Sequence, residues 1–261
     1  MSDYGNKYCI EEKSGVPLIG CREIPFPHGF STRLGGVSSE PGYETLDLGA
    51  GRDEAAINEN RKRFARALSG KDGTPLVSAR QIHSAKAVYT DRPGGEYECD
   101  AFVTDVPGMI IAVKTADCVP ILFCDPENRV IGAAHAGWRG TVSGVAASCM
   151  REMEKHGADP HKTVAAIGPC IKSCCYEVDG KFVSAVSASE FAGICMKHIT
   201  GAGEHRADLQ LMNRDILISC GIPSENVHIS GFCTFCGSSL FFSHRAGRGV
   251  RGLMMSGIML P

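Results

Sequence analysis

The sequence predicts an α+β protein in a single domain that spans residues 1–261. Short apolar runs of strand length outnumber the helical patterns, and they do not alternate with helices as the strands of a parallel sheet would. Turn signals are short and regular, and the chain has no internal repeat, low-complexity segment or long linker. No dinucleotide-binding G-x-G-x-x-G and no P-loop is present, so neither nucleotide-binding α/β class is supported.

The elements follow in order from periodicity and turn residues. Strands and strand-like apolar segments are expected within 8–30, 76–90, 101–105, 109–125, 130–136, 164–168, 227–229, 240–242 and 252–260. A glycine-rich loop region fills 31–51. Asp53 can cap a first helix that runs to about Leu68 and buries an apolar face. Further helices are expected from about 141 to a stop at Gly157, and at 181–192 and 209–220.

Composition excludes several classes of protein. The hydrophobic fraction of 43% and the charged fraction of 21% are ordinary for a globular protein, and a formal charge of -2 gives no nucleic-acid footprint. No apolar run approaches the length of a membrane span, and residues 1–15 lack a signal-peptide pattern. The 13 cysteines are an odd number, which favours reduced thiols in the cytoplasm over a disulfide framework.

The stretch TADCVPILFCDPENRVIGAAHAGWRG, residues 115–140, carries the clearest chemical signal. Two apolar runs flank DPEN, a turn signal with proline at its second position, so they predict an antiparallel hairpin. If the hairpin is centred between Pro126 and Glu127, Cys118 pairs directly with His135 on one face of the sheet. A longer loop would shift the register by a residue or two and keep the two side chains close.

A cysteine beside a histidine allows three interpretations: a packed thiol, a nucleophile with its base, or two metal ligands. The polar Asp117 and the Gly-Trp-Arg-Gly at a helix start favour a site, because a helix N-terminus and Arg139 can hold an anion. Thiolate with imidazole suits zinc or copper. By strand context, His83 in RQIHS is the best candidate for a third ligand, which would leave one position open. The residues alone leave these alternatives open.

The chain resembles the laccase-domain family, whose members are called multicopper polyphenol oxidases and also purine nucleoside phosphorylases of the YfiH type. The matching blocks occur in order along nearly the whole chain: STRLGGVS (31–38), ENRKRFA (59–65), RQIHSAKAV (80–88), CDAFVTDVPGMIIAVKTADCVPILFCD (99–125), AAHAGWRGTVSGV (133–145), IGPCIKSCCYEV (167–178), CT (233–234) and FFSHR (241–245). The resemblance implies that His83, Cys118 and His135 bind one metal, usually zinc. It also implies β-sheets packed between helices and a substrate pocket around the metal.

The resemblance further implies phosphorolysis of adenosine, inosine and S-methyl-5'-thioadenosine to the free base and ribose 1-phosphate, with adenosine deamination as well. The expected partners are a purine nucleoside and inorganic phosphate, and the expected cofactor is Zn2+, with copper as the alternative. Cys118, His135 and Arg139 are the candidate catalytic residues. The residues expected to bind phosphate or substrate lie at the helix start and in the first loop: Arg33, Arg139, Gly140 and Thr141. A monomer and a homodimer both stay open.

Two other activities compete with this expectation. A multicopper oxidase centre needs histidines arranged largely as His-x-His pairs, and the nine histidines here include no such pair. One copper in a His2Cys site would still permit weak redox activity. Amide hydrolysis of peptidoglycan precursors, with Cys118 as nucleophile or a metal-activated water, is not excluded by the sequence.

A second group of thiols suggests a separate, structural metal site. Cys233 and Cys236 form a C-x-x-C, which is half of a four-thiolate zinc site, whereas the C-x3-C-C of residues 170–175 has poorer spacing. Packed free thiols are the alternative for the group, which comprises Cys170, Cys174, Cys175, Cys233 and Cys236.

Three further polar residues have two interpretations each. Asp117 can orient a metal ligand or serve as a turn residue. His244 can approach the site or remain a surface or core residue. Asp47 stands where many members of the family have asparagine, so any direct role in substrate binding is in doubt there, because an ionised carboxylate only accepts hydrogen bonds.

Overall fold

The computed structural model of the protein describes residues 7–201 and 203–261; residues 1–6 and 202 of the predicted domain lie outside the described residues. Over these ranges the strands are β1 Tyr8–Lys13, β2 Val16–Cys21, β3 His28–Ser31, β4 Leu76–Val77, β5 Ala87–Tyr89, β6 Ala101–Thr104, β7 Ile110–Thr115, β8 Val119–Asp125, β9 Val130–Ala136, β10 Val164–Ile167, β11 Glu177–Val178, β12 Ile199–Thr200, β13 His205–Ala207, β14 Val227–Ile229 and β15 Met254–Met259. The α-helices are α1 Glu54–Ser69, α2 Trp138–Val142, α3 Val145–Lys155, α4 Gly180–Ser187, α5 Ala192–Cys195 and α6 Leu209–Ser219. The predicted α+β class is confirmed.

Two six-stranded mixed sheets carry the fold. The first has the order β1-β2-β3-β15-β7-β4 and the second the order β14-β10-β8-β9-β6-β5, and a small sheet has the order β11-β13-β12. Most neighbours are antiparallel, and the pairs β4–β7, β5–β6 and β10–β14 are parallel. No helix among the described residues has the length and apolar character needed to cross a bilayer.

The two large sheets share an apolar layer between them. Phe30 and Ile111 of the first sheet pack in one buried cluster with Phe102 and Leu122 of the second. Helix α1 covers the outer face of the first sheet, and α3 and α6 cover the outer face of the second. The sheets are therefore packed between helices, as the resemblance implied, and each fully buried large side chain contributes about 1.5–3 kcal/mol.

Helix α1 follows its sequence signals closely. The Asp53 carboxylate accepts a hydrogen bond from the Ala56 N–H, and Gly70 ends the helix in the left-handed conformation at φ 74°. The helix buries Ile57, Phe64, Ala65 and Leu68, as its apolar periodicity predicts. A cap of this kind is worth about 1 kcal/mol.

Later elements depart from prediction. The helix expected from about 141 to Gly157 is two helices, α2 and α3, because Gly144 between them has φ 77° and its backbone lies against Phe191. The helix expected at 181–192 is divided between α4 and α5. The strand predicted at 240–242 is absent: Leu240 and Phe241 donate to the Gly237 carbonyl in a turn. Helix α6 matches its predicted range.

The β8–β9 hairpin forms, but its predicted register is wrong by two residues. Pro120, not Cys118, lies opposite His135. The reason is a longer turn: the Asp125 carboxylate accepts hydrogen bonds from the N–H groups of Glu127 and Asn128, at 3.0 Å each. Cys118 therefore lies in the bend that precedes β8, two residues before Pro120. An even shift keeps it on the same face of the sheet.

Candidate metal centre

Three segments bring His83, Cys118 and His135 together. His83 lies in the loop between β4 and β5, Cys118 in the bend between β7 and β8, and His135 near the end of β9. Their ligand atoms all lie within 4.8 Å of one another. The two imidazoles meet edge to face, with ring centroids 4.9 Å apart. His135 is buried at 2% exposure, whereas His83 reaches the surface, so the cluster opens on one side.

One buried carboxylate, which the sequence reasoning missed, positions both histidines. Asp100 Oδ1 accepts from His135 Nδ1 at 2.9 Å and from the His83 N–H at 3.0 Å. Asp100 Oδ2 accepts from the N–H and the hydroxyl of Ser84, at 2.6 and 2.7 Å. These bonds hold His83 at φ 57°, a left-handed conformation that few residues other than glycine adopt. Because Nδ1 of His135 is used by Asp100, Nε2 faces the cluster.

Opposite charges within the cluster stabilise one another and offset the effect of burial on each group. Burial is the largest influence on each group and disfavours its charged form, yet the contact with His135 lowers the pKa of Asp100 to about 2. The Cys118 thiolate and Asp100 raise the pKa of His135 to about 9, and the two histidines lower the pKa of Cys118 to about 6. These mutual contacts favour a thiolate–imidazolium pair of Cys118 and His135.

Asp117 fixes the bend that carries Cys118. Its carboxylate accepts from the Thr234 hydroxyl at 2.6 Å and from the Arg245 N–H at 2.7 Å, and its carbonyl accepts from the Ile171 N–H. The residue is buried and has φ 85°. With both carboxylate oxygens engaged, Asp117 holds Cys118 in place and is not placed to bind the metal itself.

A cavity of about 360 Å³ opens beside the cluster. Its volume lies in the range of small-molecule sites. Its wall combines apolar and aromatic side chains, two members of the cluster (His83 and Cys118) and several arginines. The lining residues are His83, Ala116, Asp117, Cys118, Trp138, Arg139, Ile171, Tyr176, Leu209, His244, Arg245 and Arg251. His244 is thus placed at the site.

Three arginines give the cavity a cationic wall, and only one of them was expected. The Arg139 guanidinium lies 4.2 Å from the centre of the Trp138 ring, and that of Arg245 lies 5.5 Å from the Tyr176 ring. Arg251 has a buried Nε with no hydrogen-bond partner among the described residues. The signal for the last two was the run RAGRGVR at 245–251, whose distance along the chain from TADC hid its proximity.

Two of the expected phosphate contacts are not in the cavity. Gly140 is buried, and the buried Thr141 hydroxyl accepts a hydrogen bond from Asn213 Nδ2 at 2.9 Å. Helix α2 meets the cluster at its first residues instead: a Cβ at Gly137 would lie 2.9 Å from His83 Cδ2. The start of α2 is therefore a close packing surface for the cluster, and neither Gly140 nor Thr141 is among the residues that line the cavity.

Arg33 is also placed elsewhere. Its guanidinium donates to the Glu44 and Ser238 carbonyls and lies 4.7 Å from the centre of the Phe242 ring. It lines a separate cavity of about 270 Å³ that shares Arg251 with the first. A side chain held by these contacts does not line the cavity beside the cluster, so the structure does not bring Arg33 together with Arg139, and its phosphate-binding role stays a prediction.

Asp47 is a structural acceptor. Its Oδ1 accepts from the N–H groups of Gly49 and Leu253, at 2.9 Å each. It does not line the cavity beside the cluster, in agreement with the doubt that its acidic side chain raised.

The comparisons with known proteins agree on one family. A family model described as multi-copper polyphenol oxidoreductase laccase matches residues 27–261. A purine nucleoside phosphorylase of Deinococcus radiodurans is 38% identical over 248 residues, which are 95% of this chain and 94% of the relative. A protein of an unknown prokaryotic organism, named adenosine deaminase RL5, is 34% identical over 83% of this chain and 87% of its own length.

Solved structures agree with this result. The crystal structure of the hypothetical protein YfiH of Bacillus licheniformis has a TM-score of 0.88 and 34% identity, covering 98% of this chain and all of that one. YlmD of Geobacillus stearothermophilus has a TM-score of 0.85 and 31% identity, over 97% of this chain and 98% of its own. The chain therefore belongs to the multi-copper polyphenol oxidoreductase laccase family.

Proposed function

We propose that the protein is a zinc-dependent purine nucleoside phosphorylase that also deaminates adenosine. Its substrates are adenosine, inosine and S-methyl-5'-thioadenosine. A phosphate oxygen bonds to C1' of the sugar as the N-glycosidic bond breaks, which yields the free base and a sugar 1-phosphate. The observation that carries this proposal is the His2Cys cluster in the wall of a cavity lined by arginines.

The donor set fits zinc. Two imidazoles and a thiolate are zinc ligands, and three protein ligands with an open fourth position are typical of catalytic zinc. Asp100 supplies the carboxylate that fixes ring orientation in such sites. When bound, zinc supplies Lewis-acid chemistry at the cavity wall. His83, Cys118 and His135 would hold it, and copper is the alternative metal that the same donors accept.

The cationic wall suits phosphate. Arg139, Arg245 and Arg251 all line the cavity, and Asp117, the acidic lining residue among those that the structure describes, is engaged by Thr234 and by the Arg245 backbone. Hydrogen bonds from guanidinium to phosphate are charge-assisted and about twice as strong as neutral ones. In the proposed reaction these side chains hold phosphate beside the sugar, and Arg139 is the catalytic arginine.

The rest of the cavity suits the nucleoside. Ile171 and Leu209 line it with the rings of Trp138 and Tyr176, so a flat purine would meet apolar and aromatic surface. Ligand sites of this size commonly combine such a surface with a few polar groups. The combination supports a substrate that has a flat aromatic base at one end and meets an anion at the other.

Adenosine deamination is the second proposed activity, because one relative of comparable similarity carries that name. Phenol oxidation, which the family's description suggests, and amide hydrolysis of peptidoglycan precursors are the rival activities. Neither uses inorganic phosphate, so phosphate dependence separates them from the proposal.

A nucleoside panel with and without phosphate tests the proposal. Purified protein is incubated with adenosine, inosine or S-methyl-5'-thioadenosine, and bases and sugar phosphates are separated by chromatography. We expect free base with an equal amount of sugar 1-phosphate only when phosphate is present, and inosine from adenosine in either case. Base release that is equal with and without phosphate would overturn the phosphorylase assignment. Oxygen uptake with phenols in the absence of base release would do so as well.

A further inference from the structure

A second cluster of ligand atoms lies behind one wall of the cavity. The sulfur atoms of Cys174, Cys175, Cys233 and Cys236 all lie within 4.8 Å of one another. Cys236 Sγ is 3.7 Å from Cys174 Sγ and 3.3 Å from Cys175 Sγ. A tetrahedral zinc with bonds of about 2.3 Å places its sulfur ligands about 3.8 Å apart. The observed separations thus match a four-thiolate site with small adjustments.

We propose that these four cysteines bind a second metal ion, a structural zinc. Cys170, which the sequence grouped with them, is not a ligand: it is fully buried and its thiol contacts the Ile171 carbonyl at 3.1 Å. The spacing of residues 170–175 along the chain is poor for a zinc site. The fold nevertheless brings the adjacent pair 174–175 opposite the C-x-x-C of 233–236.

The turn that carries Cys233 and Cys236 is closed by a backbone hydrogen bond. The Gly237 N–H donates to the Cys233 carbonyl at 2.9 Å. This turn keeps the sulfur atoms of Cys233 and Cys236 within 4.8 Å of each other, as the C-x-x-C half of a zinc site requires.

The surroundings offset the charge of such a site. Zinc with four thiolates carries a net charge of about -2. Arg206 Nη1 donates to the Cys174 carbonyl at 2.7 Å, and Lys172 Nζ donates to the Gly231 carbonyl at 3.1 Å. Arg206, which also pairs with Glu177, therefore contacts the segment of Cys174, and Lys172 links the two segments that the metal would join.

The site would brace the cavity. Residues 171–176 supply Ile171 and Tyr176 to the cavity wall, and residues 234–245 supply Thr234 and Arg245, which hold Asp117. One ion bound to both segments would cross-link them beside the bend of Cys118. This role is independent of the proposed reaction.

Metal counting for each cluster tests the inference. Metal per chain is measured by mass spectrometry of digested protein for the wild type, the double variant Cys174→Ser/Cys236→Ser, the double variant His83→Ala/His135→Ala and the control Cys9→Ser, whose thiol belongs to neither cluster. We expect two ions per chain in the wild type and control, and one in each double variant. A Cys174→Ser/Cys236→Ser protein that keeps as many ions per chain as the wild type would overturn the inference, whatever the His83→Ala/His135→Ala protein retains.

A cadmium titration covers the case in which the serine variant does not fold. Cadmium added to reduced His83→Ala/His135→Ala protein should give one ultraviolet sulfur-to-metal band with the intensity of four thiolates. A band of one thiolate, or peptide mapping that shows a Cys175–Cys236 disulfide in protein kept reduced, would contradict a metal site. Because this variant lacks both histidine ligands of the first cluster and keeps only Cys118 there, the result is independent of the phosphorylase assignment.

Discussion

The two clusters use similar ligands in opposite surroundings. The His2Cys cluster is anchored on the buried Asp100 and opens into a cavity, whereas the four-cysteine cluster lies at the surface between two turns. Three ligands leave a position for chemistry, while four thiolates complete a tetrahedron and leave none. The comparison teaches that a carboxylate bonded to a ligand and an adjoining cavity, more than the presence of cysteine, would distinguish a reactive metal site from a structural one.

Removing a ligand of the His2Cys cluster, which is open to the cavity, should have the largest effect on activity. We expect Cys118→Ala or His135→Ala to abolish zinc binding there and to reduce phosphorolysis by more than about 10²-fold, because Lewis-acid stabilisation is worth several kcal/mol. The four-cysteine cluster should keep its ion and the circular dichroism spectrum should be unchanged. A Cys118→Ala protein with full zinc content and full activity would show that the ligand assignment is wrong.

Replacing the supporting carboxylate should have the next largest effect. Asp100→Asn keeps the shape but removes the charge that holds His135 and the 83–84 backbone. Such changes commonly cost about 10–100-fold in metal affinity. Competition with a zinc chelator measures the loss, and the exposed Asp105→Asn is the matched control. Equal affinity in both variants would mean that Asp100 is only a structural acceptor.

The arginines of the cavity wall should act mainly on the binding of phosphate. We expect Arg139→Ala to raise the KM for phosphate by about tenfold or more, since a hydrogen bond to a charged group is worth about 1.5–3 kcal/mol, with a smaller change in the KM for nucleoside. Arg151→Ala, on the exposed face of α3, is the control. If only the nucleoside KM rises, Arg139 packs against the sugar or base instead.

Metal affinity of the open cluster should change with pH in a defined direction. His135 has a pKa of about 9 without metal, so zinc must displace its proton at any lower pH. Affinity should therefore rise about tenfold from pH 7 to pH 8 and level off above about 9. Below about 6, where Cys118 also takes up a proton, the slope should double. Calorimetry in buffers of different ionisation enthalpy counts the protons; no release at pH 7 would contradict the thiolate–imidazolium pair.

Local signals predicted the parts of the fold that local physics controls. The cap at Asp53 and the apolar face of α1 depend on neighbours within a few residues, and both were predicted. The break at Gly144 was not predicted, and only the fold shows that a Cβ at this left-handed position would meet the distant Phe191. The hairpin was predicted but its register was not, since the turn is held by an Asp125 carboxylate that also accepts a hydrogen bond from the distant Asp159 N–H.

For the site, residue type and order along the chain determined the ligand candidates: TADC, RQIHS and AHAGWRG point to His83, Cys118 and His135 by their chemistry and their resemblance to a family. Only the tertiary structure showed Asp100 beneath them, Arg245 and Arg251 around the cavity, and the loss of Gly140, Thr141 and Arg33 from it. It also brought residues 174–175 next to 233–236. The physical reason is that a ligand's chemistry belongs to its side chain, whereas a site is a set of distances between segments far apart in the chain, and packing of the two sheets sets those distances.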